Sequence, residues 1–188
     1  NSWVKLASGV TITPEKAEEL GYPNLSGEEL AKKYVLFNGT SVFSQNDKPL
    51  AQKGKFLPGT YTRGEFGIVP MPGIENLTVK TLNRGSLKKA TLKLKVHDRK
   101  QFEIVEVLYL RLGYTVLVEW GNNIYTKTGT DLQTVGNTIM EEQFFESGDN
   151  GLSKDKTYFE GLGAIDEQRT KYSGNSDGFF AKISNFEW

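Results

Sequence analysis

The fold is decided by residues 84–121, which read RGSLKKATLKLKVHDRKQFEIVEVLYLRLGYTVLVEWG. The first part alternates apolar and polar residues, a period typical of a strand with one buried face. The apolar positions are Ala90, Leu92, Leu94 and Val96, and the polar ones between them are Thr91, Lys93 and Lys95. A turn at 97–100, an amphipathic segment at 102–112 and an apolar run at 114–120 follow. The pattern predicts strand, turn, helix and strand, which build architecture rather than a reaction centre.

The helix predicted at 102–112 has a start signal and a stop signal. Asp98 followed by Gln101 has the spacing of a capping box, and Gly113 is typical of helix C-termini. His97–Asp98 would also suit a catalytic base with its carboxylate, but no nucleophile motif accompanies the pair, so we interpret Asp98 as the cap. The helix should bury one face, which carries Phe102, Val105, Leu108, Tyr109 and Leu112.

Further strands are predicted on both sides of this unit. Residues 74–82 should pair antiparallel with 87–96 through a turn at 83–86, and a last strand should run over 179–188 after a glycine-rich turn. Together with 114–120 these strands predict an α+β fold. We expect one curved antiparallel sheet or barrel, with a packed helix and a helical insertion.

The chain divides into three predicted regions. Residues 1–60 should form an N-terminal arm with short helices, one capped by Thr13 before Pro14 and one opened by a capping box at 26–29. A short strand is expected at 34–37. Residues 61–126 and 174–188 should form the β core, and 127–173 a helical insertion with helices near 138–145 and 158–172. The abrupt ends suggest a chain with a missing continuation.

Composition excludes several classes of function. The 188 residues include no cysteine and a single histidine, which removes disulfide scaffolds, thiol nucleophiles and Cys/His zinc sites. Lys plus Arg equals Asp plus Glu, so the neutral chain lacks the basic surplus of a general nucleic-acid binder. No apolar run is long enough to span a membrane, and no signal peptide is visible. We predict no enzymatic activity, no catalytic residue, no cofactor and no metal site.

Two clusters that suggest chemistry have simpler interpretations. The acidic residues Glu141, Glu142, Glu146 and Asp149 lack the spacing of a calcium loop and are interpreted as a solvated helix face. Gly64, Gly67 and Gly73 do not lie between a strand and a helix, so a phosphate-binding loop is not expected.

Several residues are instead candidates for contacts with a partner. Pro70 and Pro72 should hold Met71 in an extended segment that either covers the core or docks on a neighbour. Lys93 and Lys95 should face outward, where lysine either blocks edge aggregation or meets an acidic surface. The predicted interface or supporting residues are Met71, Pro72, Lys93, Lys95, Tyr109 and Trp120.

The run from Gly85 to Arg99, the apolar helix and the segment Leu112-Gly-Tyr-Thr-Val-Leu-Val-Glu-Trp-Gly resemble tail and baseplate proteins of bacteriophages. The resemblance is to the tube-forming barrel of baseplate hub proteins, a group with late control protein D and the VgrG spike proteins. Asp98, Gly113–Tyr114 and Gly178–Phe179 occupy positions comparable to that family's motifs. The resemblance covers about residues 73–126 and 174–188, and it implies barrels that assemble into rings.

We therefore expect a non-enzymatic structural protein of a virion, a hub-like module of a tail tube or baseplate. Its partners would be copies of itself and other virion proteins, and it would be assembled in the host cytoplasm. No specificity for nucleic acid and no membrane span are expected. The alternatives are another virion component, such as a neck or vertex protein, and a carbohydrate- or surface-binding β module that uses Trp3, Trp120 and Trp188. A hydrolase with paired carboxylates ranks last.

Overall fold

The fold was analysed in a computed structural model that describes residues 2–10, 12–24, 26–27, 30–31, 34–39, 61–64, 67–70, 72–122, 124–128, 131–135 and 158–188. Its strands are β1 Ser2–Ser8, β2 Leu36–Gly39, β3 Tyr61–Gly64, β4 Gly67–Pro70, β5 Gly73–Leu82, β6 Leu87–Lys95, β7 Thr115–Asn122, β8 Ile124–Thr128, β9 Asp131–Val135 and β10 Ser176–Lys182. Its helices are α1 Pro14–Glu19, α2 Arg99–Tyr109 and α3 Tyr158–Lys171.

The main sheet is antiparallel and has the order β10-β7-β1-β2. The remaining strands form three two-stranded hairpins, β3–β4, β5–β6 and β8–β9. The α+β class is therefore confirmed. The predicted antiparallel pairing of 74–82 with 87–96 is confirmed by β5 and β6. The predicted single sheet is wrong in its membership, because among the described strands this hairpin forms a sheet of its own and β1 lies beside β7. The described strands do not close into a barrel.

The N-terminal strand β1 was not predicted, yet it lies inside the main sheet between β7 and β2. Its sequence, Ser-Trp-Val-Lys-Leu-Ala-Ser, gives no alternating pattern because both of its faces are buried, including Lys5. The first segment of the predicted arm is therefore central rather than peripheral. The division of the whole chain into arm, core and insertion stays a prediction.

The short elements that follow β1 agree in part with the predictions. The side chain of Thr13 accepts a hydrogen bond from the amide of Lys16, which confirms it as the cap of α1. Gly27 and Leu30 are helical, and a Cβ on Gly27 would lie only 1.6 Å from the carbonyl oxygen of Ile12. The strand expected at 34–37 is displaced to β2.

Helix α2 begins at Arg99 and ends at Tyr109, so the predicted span of 102–112 is wrong at both ends. Asp98 is confirmed as its cap, because its carboxylate accepts from the amide of Gln101 at 2.7 Å. The buried face includes Val105, Leu108 and Tyr109 as predicted, together with Gln101 and Ile104, and Phe102 is only half-buried. Leu112 lies beyond the helix and is 65% exposed.

Polar contacts attach α2 to the main sheet. The Ser8 hydroxyl donates to the carbonyl of Leu108 at 2.7 Å. The Tyr109 hydroxyl lies 2.7 Å from the carbonyl oxygen of Tyr34 and 3.2 Å from that of Leu6. These contacts fix the helix against β1 in a core that also includes Ile165 of α3.

The C-terminal part differs from the predictions in two places. The last strand is β10, which ends at Lys182 rather than at 188. The hairpin β8–β9 occupies part of the region predicted to be a helical insertion. Helix α3 confirms the helix expected at 158–172. The helix expected near 138–145 and the acidic cluster at 141–149 lie outside the described residues.

The segment from Phe66 to Gly73 was predicted to be extended, as a loop over the core or an arm that docks on a neighbour. Its residues Gly67–Pro70 are extended as β4, which pairs antiparallel with β3 so that Tyr61 is opposite Pro70. A two-stranded hairpin tolerates Pro70, because an edge strand does not need every backbone amide as a hydrogen-bond donor to a neighbouring strand.

Candidate functional site

The hairpin β5–β6 presents two chemically different faces. Residues directly opposite each other in the register share a face. The inner face carries the apolar pairs Ile74 with Leu94, Leu77 with Leu92, and Val79 with Ala90. We call the other side the outer face, and it carries the pairs Asn76 with Lys93, Thr78 with Thr91, Lys80 with Lys89, and Leu82 with Leu87.

The inner face packs onto the rest of the fold. Its apolar residues contact the core, and Leu77 and Val79 lie across a cleft from Trp120 of β7. This packing buries one side of the hairpin and leaves every residue of the outer face exposed. The alternation predicted for 90–96 is thereby confirmed.

A cluster of charges fastens the hairpin to β10. Lys88 of β6 lies 3.3 Å from the carboxylate of Asp177, and Arg169 of α3 also binds that carboxylate. Burial opposes ionisation of Asp177, but hydrogen bonds from Arg169 and from the Gly178 amide, with the charge of Lys88, hold its pKa below the usual value. The ammonium of Lys88 also lies 5.9 Å from the ring centroid of Trp120.

Like charges face each other on the outer face. Lys80 and Lys89 are directly opposite in the register, and both are exposed. Among the residues that the structure describes, no carboxylate lies within ion-pair distance of either. Lys93, two residues beyond Thr91, contrasts with them because it forms a 2.7 Å ion pair with Glu75, which lowers the pKa of that carboxyl.

The tip of the hairpin is apolar. Leu82 and Leu87 flank the turn and are 39% and 51% exposed. The turn uses left-handed backbone at Asn83, Arg84 and Gly85, with φ of 51°, 56° and 100°. This conformation reverses the chain tightly and holds the two leucines side by side at the end of the ribbon.

A cleft of about 400 Å³ opens beneath the hairpin. Leu77, Val79 and Trp120 supply apolar walls, and Ser176 and Asp177 of β10 also line it. The Ser176 side chain is buried and its hydroxyl has no hydrogen-bond partner in the described part of the chain. Since Lys88 and Arg169 already engage Asp177, the cleft offers an aromatic wall rather than a reactive carboxylate. The register places the buried Ser176 side chain on the face of the sheet opposite to that of Trp120.

The predicted interface residues fall into different environments. Lys93 and Lys95 are exposed on β6, as expected. Tyr109 is 2% exposed and its hydroxyl is hydrogen-bonded to backbone carbonyls, so it supports the fold from inside the core. Trp120 is half-buried in the cleft, Pro72 is buried, and Met71 lies outside the described residues.

Four further exposed residues of the hairpin were not among the predicted interface residues. These are Lys80 and Lys89 and the tip residues Leu82 and Leu87. A signal was present, since two leucines flank the turn Asn83-Arg-Gly-Ser86 at positions where turns are usually polar.

The three tryptophans do not share one surface. Trp3 is 2% exposed, and the register places its side chain on the opposite face of the sheet from that of Trp120, which is paired with Val4. Trp188 is 85% exposed and stacks on Phe186 with 5.5 Å between the ring centroids. A single platform built from all three is therefore not formed.

The chain matches no protein-family model, and it has no significant match among curated proteins or solved structures. The helices in the described ranges are too short or too polar to cross a membrane. Function must therefore be argued from the geometry of the hairpin and the cleft.

Proposed function

We propose that this chain is a non-enzymatic structural protein of a bacteriophage virion, an assembly module of the tail tube or baseplate hub. One observation carries the proposal. The β5–β6 hairpin buries one face against its own chain and exposes an apolar tip and a complete outer face. Exposed large apolar residues grouped at one place mark contact surfaces more often than scattered ones do.

The rest of the fold suits a rigid building block. The main sheet is held by α2 through hydrogen bonds between Tyr109, Tyr34 and Leu6. The charge cluster around Asp177 then holds the hairpin to that sheet. A stiff body with one pre-ordered ribbon loses little conformational entropy when it docks, which favours assembly. The motifs shared with baseplate hub proteins give the proposal its place in a virion.

The test compares the wild-type chain with a variant of the tip. Leu82→Ser with Leu87→Ser should abolish assembly, because it removes the apolar contact while leaving the inner face intact. Leu112→Ser is the matched control, since Leu112 is also exposed but lies after α2. Light scattering after size exclusion and negative-stain microscopy measure the mass and shape of each protein.

The proposal predicts rings, tubes or concentration-dependent oligomers for the wild type and the control, and monomers for the tip variant. Antibodies against the chain should label tails or baseplates in particles that contain it. Labelling at the neck or a vertex would move the protein to another virion component. A wild-type chain that stays monomeric at high concentration, with no label on particles, would contradict the proposal.

A carbohydrate- or surface-binding module is the second candidate, and the cleft beside Trp120 is the observation that favours it. The aromatic wall of Trp120, with Leu77 and Val79 across the cleft, suits a small ring compound. Binding on a glycan array that is lost in Trp120→Ala, and unchanged in Leu82→Ser, would support this candidate over assembly.

A further inference from the structure

The opposed pair Lys80 and Lys89 is unfavourable in the isolated chain. Like charges on directly opposed residues destabilise a pair of strands. The neighbouring pair Thr78 and Thr91 adds two hydroxyl groups on the same exposed face. Two ammonium groups beside two hydroxyls form a surface that suits carboxylates supplied from outside.

Several other basic residues near this hairpin are already engaged. Lys93 is paired with Glu75, Lys88 with Asp177, and Arg99 with Glu103. Lys100 lies over the ring of Tyr22 at 4.6 Å. The hairpin has two further basic residues, Arg84 in the turn and Lys95 at the opposite end, and neither forms an ion pair with a described residue. Three of the four unpaired cations of the hairpin, Lys80, Arg84 and Lys89, therefore lie toward the tip.

Charge is segregated along the chain although the whole is neutral. Residues 73–95 contain six basic residues and one acidic residue, and the formal net charge of the protein is zero. The remaining residues therefore carry an acidic excess of five. A second copy of the same chain presents a surface of the sign that the hairpin requires.

The described part of the chain includes an acidic surface at the other end of the hairpin. Helix α1 exposes Glu15, Glu18 and Glu19, and its single lysine, Lys16, forms a 2.9 Å ion pair with Glu19, so the helix keeps a net charge of −2. Tyr22, just after α1, contacts Lys100 in the first turn of α2, close to where β6 ends. A strand of the length of β6 places the leucine tip on the order of 30 Å away from the end of the hairpin near α1.

We infer that copies of this chain associate head to tail, with the Lys80/Lys89 pair and leucine tip of one copy docked on the acidic α1 helix of the next. This inference rests on the proposed assembly function and specifies its contact. Different surfaces meet on the two copies, so the interface is heterologous and generates a ring or a row. Its charged part should weaken as salt rises.

The experiment uses two charge-reversal variants of the full chain and sedimentation velocity. Lys80→Glu with Lys89→Glu should lower the association constant at least tenfold, and Glu18→Lys with Glu19→Lys should do the same. An equimolar mixture of the two should associate again, because each contact between unlike copies joins charges of opposite sign. The native hairpin meets the native α1, and the reversed hairpin meets the reversed α1. Lys80→Arg with Lys89→Arg is the matched control that keeps the charge, and it should associate like the wild type.

Each result distinguishes this contact from assembly in general. If the wild type assembles and both reversal variants assemble equally well, the assembly function stands and the head-to-tail contact is wrong. If the variant mixture stays monomeric, α1 is not the acceptor and the inference is overturned. A wild type that is monomeric at low salt overturns both the assembly function and the head-to-tail contact. If the protein binds short duplex DNA and does not self-associate, the anionic partner is a nucleic acid instead. Circular dichroism of every variant excludes unfolding as the cause.

Discussion

Two pairs of directly opposed residues show how differently the main sheet and the hairpin use charge. In the main sheet, Lys5 of β1 faces Glu119 of β7, and both side chains are fully buried with 2.8 Å between ammonium and carboxylate. In the hairpin, Lys80 faces Lys89 and both are exposed. The main sheet pairs its buried charges with each other, whereas the hairpin presents two exposed lysines that form no ion pair with a described residue.

The buried pair also shapes the strand next to it. Gly178 of β10 lies opposite Glu119 in the register. A Cβ at this position would lie 3.0 Å from the carbonyl oxygen of Val118 and 3.1 Å from Cγ of Glu119. Close approach of β7 therefore favours glycine at this position, where the backbone has no unusual φ. Gly178 thus has a packing reason in this chain.

The largest effect should come from breaking the buried pair. Lys5→Met leaves Glu119 buried without its cation, and we expect a loss of about 3–5 kcal/mol in the free energy of unfolding. Urea denaturation followed by tryptophan fluorescence measures it. The double variant Lys5→Met with Glu119→Leu should recover most of the loss, since it removes both charges. A single variant as stable as the wild type would show that the pair is not isolated from water.

The second effect is a loss of stability in alkali. Burial raises the pKa of the Tyr109 phenol, and burial together with the hydrogen bond to Tyr22 raises that of Tyr34. Both phenols stay protonated in the folded state above pH 10, where those of the unfolded chain ionise. Stability is therefore complete below about pH 10 and falls above it by up to about 1.4 kcal/mol per pH unit for each tyrosine. Denaturation at pH 8 to 11.5 should show the decline, and a flat profile would contradict it.

A smaller effect should follow from removing one hydroxyl between helix and sheet. Tyr109→Phe loses the hydrogen bonds to the carbonyl oxygens of Tyr34 and Leu6 and leaves these acceptors buried. We expect a cost of about 1–2 kcal/mol at neutral pH. The same variant should have a shallower alkaline decline, because one of the two raised pKa values is gone. An unchanged decline would assign the effect to other groups.

The smallest effect should have the opposite sign. Lys80→Glu gives the hairpin an opposed pair of unlike charges, as in the main sheet, and we expect the monomer to gain about 0.5 kcal/mol. Thermal unfolding at low protein concentration measures the change, with Thr78→Glu as a variant that places the same charge beside the lysines. A destabilised Lys80→Glu monomer would mean that the two lysines are already neutralised within the chain.

Local patterns predicted the parts of the fold that depend on neighbours in sequence. The alternation of β6, the cap at Asp98 and the helix at 158–171 could all be predicted, because each is set by residues a few positions apart. Strand β1 could not, since Lys5 interrupts its apolar run and its burial depends on Glu119, more than a hundred residues away. The end of α2 was misplaced for a similar reason, because Gly113 donates its amide to Ile183 of the C-terminal segment rather than closing the helix.

The candidate site was predicted only in part. Lys93 and Lys95 were expected to face outward on the strand pattern alone. Lys80 and Lys89 were missed because their opposition depends on the register across the turn at 83–86, which places them face to face. Tyr109 was expected on the buried face of the helix and was named an interface or supporting residue, and the structure buries it against the backbone carbonyls of Tyr34 and Leu6.

The central claim is that a partner covers the outer face of the hairpin, and a single cysteine tests it most directly. The chain has no native cysteine, so Thr78→Cys places a unique thiol on the outer face and Ser184→Cys places one on an exposed segment after β10. The rate of thiol alkylation is measured as protein concentration rises. The account predicts that Thr78→Cys becomes protected while Ser184→Cys reacts at a constant rate. Equal rates for Thr78→Cys in dilute protein and in oligomers would contradict it.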